Sequence, residues 1–590
     1  MDLRRPLLEA AFVAALVGAS LFAVKSHQAG DAPTLDEPYH LLAGAEYVLD
    51  GTYWANIEHP PLAKDLAGFA LRGHGALSPR HVPSLDRWPT GRFLPFLYAN
   101  RLPPDRMVAL ARRPFPWLLA LLIVATYALA RGLFGTPAAM LAATLIALDP
   151  NFVAHAGVIH TDVAAALTMT ATVALAALAM RRSGLLWWLL PGVALGLALA
   201  TKFSAVLLLP SLALLPFVAE PVPARPGRER ARQVARGLSG VALAAATGLL
   251  VLLAAYRWNL RSMPSADGVA AIHSFLASRD FSPKASDQVE RLALVSPPLG
   301  HYVAGLSSVG VLSTQGRGTN FLHGRLSQSS FPEYFFVAFA IKSTPSFLLL
   351  TALLVVLGGR KLVSPPVLLL LVPALVYFAS AASSSFNIGI RHLLPVYPLL
   401  AVAGAGIVSA RLSRRSFAVL ALSLSAGAAA SLALCHPFEM SYFNFFVGGR
   451  EGGEKWLSDS NTDWGQDLKR LGERLRARGW ERDTTVVTIG GLATNYFVRG
   501  ALLLDPARPI APGRYAVGAT MAAVGGPLVS KIGDPAEGAQ IEDLVRQLES
   551  RGRRIDRVGS ITIWELPPPV APPAPVPSPG ATDKPPTAAS

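Results

Sequence analysis

Residues 114–133 read PFPWLLALLIVATYALARGL, with Arg131 the single charged side chain in the run. Twenty helical residues are about 30 Å long, the thickness of a bilayer's hydrocarbon core. The run is apolar on every face, so its helix would bury no particular stripe against a soluble core. It reads as a membrane span. Working outward, comparable runs recur at about 7–24, 136–151, 162–180, 185–201, 203–219, 237–257, 334–357, 364–382, 393–410 and 416–435. The sequence therefore predicts a polytopic α-helical membrane protein with about 11 transmembrane helices. The pair 185–201 and 203–219 is short and closely spaced, which leaves one of them open to a re-entrant reading.

Composition agrees. Of 590 residues, 52% are hydrophobic and 15% charged, against about 25% charged in soluble domains. The net charge of +15 raises the question of a nucleic-acid partner, but no basic cluster beside a groove-reading motif is present. One cysteine, Cys435, excludes a disulfide framework and a Cys-ligated metal centre.

The basic residues have a topological meaning instead. With the N-terminus inside, inner segments hold Arg4, Arg5, Arg131, Arg181, Arg182, Arg225, Arg228, Arg230, Arg232, Arg236, Arg360, Lys361, Arg411, Arg414 and Arg415, against the acids Asp2, Glu220 and Glu229. That is the positive-inside pattern. Residues 1–435 then form the membrane module, with long outer loops at 25–113 and 258–333. Residues 436–566 form an outer α/β domain. Its expected helices are Trp464–Arg478 and Ile541–Ser550; its expected strands are Thr485–Ile489, Arg514–Val517 and Ser560–Leu566. The Pro/Ala-rich residues 567–590 cannot bury a core and are expected to be disordered.

This topology was drawn from basic loops alone, yet the remaining polar residues fall on one face. Asp36 and Glu37 follow the first span. Glu58, His59 and Lys64 lie in the same loop, at the headgroup level. Asp149, Asn151, His155, His160 and Asp162 lie between the third and fourth spans, Lys202 between the fifth and sixth, and Asn387, Arg391 and His392 before the tenth. Capping explains parts of this: Pro38 and the acids suit a helix start, and Asp149 and Asp162 suit N-caps. It does not explain why acids, histidines and cations gather on one face. A carboxylate there can act as a general base, and Arg391, Lys202 and Lys64 can meet a phosphate. Metal binding by His155, His160 and Asp162 stays an open alternative on a spacing that fits no standard site. Lys342 lies deep in an apolar run, where a lysine is costly. Asp459–Asp463 opens like a calcium loop, but Trp464 stands where glycine is needed and Arg470 where glutamate is needed, so an EF-hand is excluded. A capping box of Asp463 and Gln466 is the expected alternative.

Together these residues resemble the GT-C superfamily of membrane glycosyltransferases, and within it the bacterial phospholipid-carrier-dependent enzymes akin to protein O-mannosyltransferases and lipid A aminoarabinose transferases. The resemblance rests on Asp36-Glu37, on Glu58-His59-Pro60-Pro61-Leu62-x-Lys64, on Asp162, on Asn387-x-Gly389-x-Arg391-His392-Leu393-x-Pro395, and on Asp459-Ser460-Asn461-x-Asp463-Trp464-Gly465-Gln466-Asp467-Leu468. It implies inverting transfer of a sugar from a polyprenyl-phosphate donor to an acceptor hydroxyl on the extracytoplasmic face of a bacterial inner membrane. Asp36 would be the base, and Glu37 would position sugar or acceptor. Glu58, His59, Lys64, Lys202, Arg391 and His392 would line the donor phosphate, with Asp149, His155 and Asp162 in support. His59 fills a slot where the mannosyltransferases have His and the aminoarabinose enzymes Lys. No β-trefoil segment lies between spans, which separates the chain from the mannosyltransferases and leaves a lipid, glycan or protein acceptor open. No Gly-rich nucleotide loop is present; the sequence points to no particular cofactor, and a divalent metal stays open. The competing class is a secondary transporter or lipid flippase, which calls for midplane charges and repeats; only Lys342 is deep, and no internal repeat is visible.

Overall fold

The computed structural model describes residues 4–82, 93–182, 184–218, 227–279, 281–316, 319–489 and 492–568. Arg225, Asp2, Glu220 and most of the 567–590 tail lie outside them. The protein is a helical membrane body carrying a small sheet. Among the described residues, seven helices are long and apolar enough to cross a membrane: Arg4–Gly30, Pro104–Phe134, Asp162–Met180, Gly227–Asn259, Pro345–Val363, Pro365–Ala382 and Arg414–Cys435. Thr136–Ala147 and Pro150–Ala156 pass only as a pair, bent by 59°. Leu185–Leu199, Phe203–Val218 and Val396–Arg411 are apolar but shorter.

The expected runs thus all become helices, with one notable break. The run 334–357 is not one helix. It divides into Tyr334–Lys342 and Pro345–Gly358. Pro345 has no N–H to continue the ladder, and Thr344 Oγ1 caps the second piece by accepting from Phe347 N at 3.2 Å. The break frees Lys342 to turn away from lipid. The bend between 136–147 and 150–156 has a similar cause. Asp149 caps the second helix, accepting from Asn151 N (2.8 Å) and Phe152 N (3.4 Å), and Pro150 occupies its first position.

Two short helices carry the polar residues that follow the first span. Helix Glu37–Ala45 starts at Asp36 and has Pro38 in its first turn. Helix Leu62–Leu71 follows the Pro60-Pro61 pair and buries Lys64, Asp65 and Gly68, while Phe69 is exposed. The two cross at glycines: a Cβ on Gly44 would sit 2.1 Å from Lys64 O, and one on Gly68 would sit 2.0 Å from Gly44 O. Only glycine permits that approach.

A β-hairpin (β1, Asn320–Leu322; β2, Arg325–Ser327) lies in the 258–333 segment. The C-terminal sheet has four strands: β3 (Thr484–Val487), β4 (Gly513–Gly518), β5 (Arg553–Val558) and β6 (Ile561–Leu566), in the order β3-β4-β6-β5. β3 and β4 are parallel; β6 is antiparallel to both β4 and β5. Alternation sends Val486, Ala516, Ile561 and Ile563 to one face, against Leu468, Leu471 and Leu475. Val487, Tyr515 and Val517 face Met521, Ile541, Leu544 and Leu548. β5 and the helix Ala519–Ile532 were not expected from sequence. The helix expected from Trp464 begins at Leu468. The capping box is absent too: Asp463 Oδ1 accepts from Gly465 N (3.1 Å), and Gln466 Oε1 accepts from Trp464 N (2.7 Å). Both side chains are spent on a turn in which Gly465 holds φ at +92°.

Candidate active site

The loop before Asp36 is fixed from two sides. Ala32 N donates to Gln466 O and Leu35 N to Trp464 O, each at 2.8 Å. Glu37 is buried and accepts four bonds: from Arg112 Nε (2.8 Å), Arg112 Nη2 (2.6 Å), Thr34 N (2.7 Å) and Ile159 N (2.9 Å). Both carboxylate oxygens are consumed. Glu37 therefore clamps the loop to the second span and to the 157–161 turn, and offers no oxygen to a substrate.

Asp36 is placed differently. Its side chain is 30% exposed. Oδ2 lies 3.5 Å from Arg391 Nη1 and 3.7 Å from His160 Nε2. Burial of the surroundings works to raise this carboxyl, but the positive charge of Arg391 outweighs it and holds it below the usual carboxylate range. It is ionised at any ordinary pH.

Behind Asp36 the polar groups form a chain. Arg391 Nη1 is 2.8 Å from His160 Nε2. A guanidinium can only donate, so Nε2 accepts and the ring proton sits on Nδ1. That atom is 2.7 Å from Asp162 Oδ2. The other Asp162 oxygen accepts from Lys202 Nζ at 2.5 Å. Lys202 is thus committed to Asp162 and joins the site through it. Trp464 lies against Arg391, whose Cζ is 4.2 Å from the ring centroid.

Three imidazoles gather beside this chain. His40, His59 and His160 bring one ring nitrogen each within 4.8 Å of one another. His155, named for a metal set from spacing, is not in that group; its ring packs against Trp464 at 6.2 Å. The donor set suits a cation poorly. His160 Nε2 already accepts from Arg391, and a permanent positive charge stands at that nitrogen. Burial and the neighbouring positive groups hold His40 and His59 well below ordinary imidazole values, so those two rings are neutral.

The other expected residues have separate work. Lys64 Nζ donates to Tyr47 OH (2.9 Å), Asn56 O (2.8 Å) and His59 O (2.6 Å). That uses all three hydrogens on the loop itself and leaves none for a phosphate. Glu58 pairs with Arg279 of the second outer loop. His392 packs near Phe335 and Phe386. Asp149 is a cap. Lys342 Nζ donates to Met440 O (3.0 Å) and Asn461 O (2.7 Å), so its depth reflects a strut between the body and the outer run.

His40 and Arg112 carry no role in the sequence reading, and Asn461 and Trp464 enter it only within the run that carries the resemblance. Helical spacing pointed to His40, four residues after Asp36. Arg112 left a trace as well: a basic pair, Arg112-Arg113, stands at the span end that the expected topology places outside, against the inside bias. Asn461 and Trp464 are brought in purely by tertiary packing.

Fold and site together define a multi-pass membrane protein with an ionised carboxylate and a buried guanidinium at one mouth. Residues 45–230, roughly a third of the chain, match the family model described as dolichyl-phosphate-mannose-protein mannosyltransferase. The match takes in Glu58, His59, Lys64, Asp162 and Lys202 and agrees with the superfamily that the motifs resemble. No curated protein matches the sequence. Among solved structures the chain is similar to ArnT from Cupriavidus metallidurans bound to undecaprenyl phosphate, at 13% identity and TM-score 0.46, covering 97% of this chain and 100% of that one. It is similar to the Archaeoglobus fulgidus oligosaccharyltransferase AglB in complex with an inhibitory peptide and a dolichol-phosphate, at 13% identity and TM-score 0.47, covering 90% and 73%. It is also similar to the S. cerevisiae protein O-mannosyltransferase Pmt1-Pmt2 complex bound to the sugar donor, at 12% identity and TM-score 0.49, covering 73% and 90%.

Proposed function

We propose that the protein is an inverting glycosyltransferase that moves a sugar from a polyprenyl-phosphate donor to an acceptor hydroxyl of a lipid, glycan or protein. The observation that carries this reading is the pairing at the mouth: a partly exposed, ionised Asp36 stands 3.5 Å from a buried Arg391. In the reaction the acceptor oxygen bonds to the anomeric carbon from the face opposite the phosphate. Its proton passes to Asp36. The carbon–oxygen bond to phosphate breaks, and the electron pair leaves with the phosphate, whose charge Arg391 stabilises in a site shielded from bulk water.

The same pairing supports an order of events. Without donor, Arg391 lowers the basicity of Asp36. A phosphate that engages Arg391 takes that charge away, so donor binding makes Asp36 a better base where one is needed. On this reading the N-terminus faces the cytoplasm of a bacterium, residues 25–113, 258–333 and 436–590 lie outside, module 1–435 carries the chemistry, and 436–566 is its outer domain.

The test is to incubate membranes containing the protein with a panel of polyprenyl-phosphate sugars and to weigh the products by mass spectrometry. The expected result is one donor class that yields a sugar-bearing product of inverted anomeric configuration. Transfer from nucleotide sugars alone would contradict it.

A further inference from the structure

We infer that Trp464 is the positioning residue for Arg391, and that the run Asp459–Asp467 is the strap through which the outer sheet holds the site together. The inference rests on the phosphate role proposed for Arg391 and assigns a task to a run that the reaction itself does not use.

The strap touches every part of the site. On the Arg391 side, Ser460 Oγ donates to Ile388 O (2.7 Å), and Asn461 Oδ1 accepts from Ile390 N (3.0 Å). On the Asp36 side, Trp464 O and Gln466 O accept from Leu35 N and Ala32 N. From the body, Lys342 donates to Asn461 O and Ser441 Oγ to Thr462 O (2.7 Å). From the outer sheet, Thr520 Oγ1 donates to Asp463 O (2.7 Å), while Ser560 N and Oγ both donate to Asp467 Oδ2 (2.9 Å).

Trp464 is the strap's one direct contact with the charged centre, and it is 2% exposed. Its ring faces the Arg391 guanidinium at 4.2 Å and meets the His160 ring edge-on at 5.3 Å. A flat guanidinium resting on a flat ring has its plane fixed, and the fork of donors aims where that plane aims. His160 fixes one end through Nη1. The ring fixes the tilt. Arg391 Nε finds no acceptor among the described residues, so it is available to an incoming oxygen anion.

The test uses the full-length protein in lipid nanodiscs and measures binding of undecaprenyl phosphate to the wild type, Trp464→Leu, Trp464→Phe, Arg391→Gln and the Trp464→Leu/Arg391→Gln pair. A cation–π contact, from exposed to desolvated, corresponds to about 2- to 30-fold in affinity. Trp464→Leu is expected to weaken binding by about that factor, and Trp464→Phe is expected to restore most of it. The double variant should bind no worse than Arg391→Gln alone, because the ring acts only through the guanidinium. Losses that add in the double variant would show a merely structural role and overturn the inference. So would wild-type binding by Trp464→Leu when Arg391→Gln has lost it. Undiminished binding by Arg391→Gln, or none by the wild type, would overturn the phosphate reading beneath it as well.

Discussion

Asp36 and Asp463 are neighbours across one hydrogen bond: each adjoins a member of the Leu35 N to Trp464 O pair. Their environments are opposite. Asp36 is partly exposed, with Arg391 and His160 at its oxygens, and stays ionised. Asp463 is fully buried, faces a second acid in Asp467, and is pushed by burial up to about 7. The same side-chain type is ionised at the mouth and titrates in the strap. What separates them is the sign of the nearest charge, because desolvation acts in the same direction on both.

The largest expected effect breaks the first half of that comparison. Asp36→Asn keeps the shape and removes the base, so turnover should fall by about 10²–10⁴-fold, with insertion and folding unchanged by thermal unfolding in detergent. Next is Glu37→Gln, a change one residue away with a different outcome. It leaves buried Arg112 without its carboxylate, which should cost about 3–5 kcal/mol of stability. Yield and melting temperature should drop, and the protein that does fold should keep a normal pH–rate profile. A folded, inactive Glu37→Gln would mean that Glu37 works on substrate after all.

The smallest effect sharpens the second half. The folded Asp463 carboxyl holds its proton more tightly than the unfolded one, whose value is about 3.9. Its contribution is therefore fully present below about pH 4 and is lost as pH rises to about 7. Asp463→Asn should remove that loss. Hydrogen exchange of amides 459–467 in the full chain should show the variant more protected at pH 8, with no gain at pH 4. Equal protection at both pH values in the wild type would contradict the assignment.

The membrane fold was legible in the sequence because apolar length is a local property. Runs such as 114–133 needed no tertiary information, whereas the break at Ser343-Thr344 depended on one proline and one cap. The site was legible by residue type and less so by task. Asp36 and Arg391 stood out as polar groups on one face, and the structure puts them side by side. Lys64 and Glu37 looked equally suited to substrate, but their hydrogen-bonding capacity is filled by loop carbonyls and by Arg112, partners that sequence order does not reveal. Trp464 read as the start of a helix because its partner, Arg391, lies 73 positions away.

The most direct measurement pairs two readings on one preparation of Asp36→Asn: binding of the polyprenyl-phosphate donor and transfer of its sugar. The account predicts donor affinity at or above wild type, since Arg391 is released from its carboxylate, together with transfer reduced by at least about 100-fold. Transfer at the wild-type rate, or loss of donor binding along with activity, would contradict it.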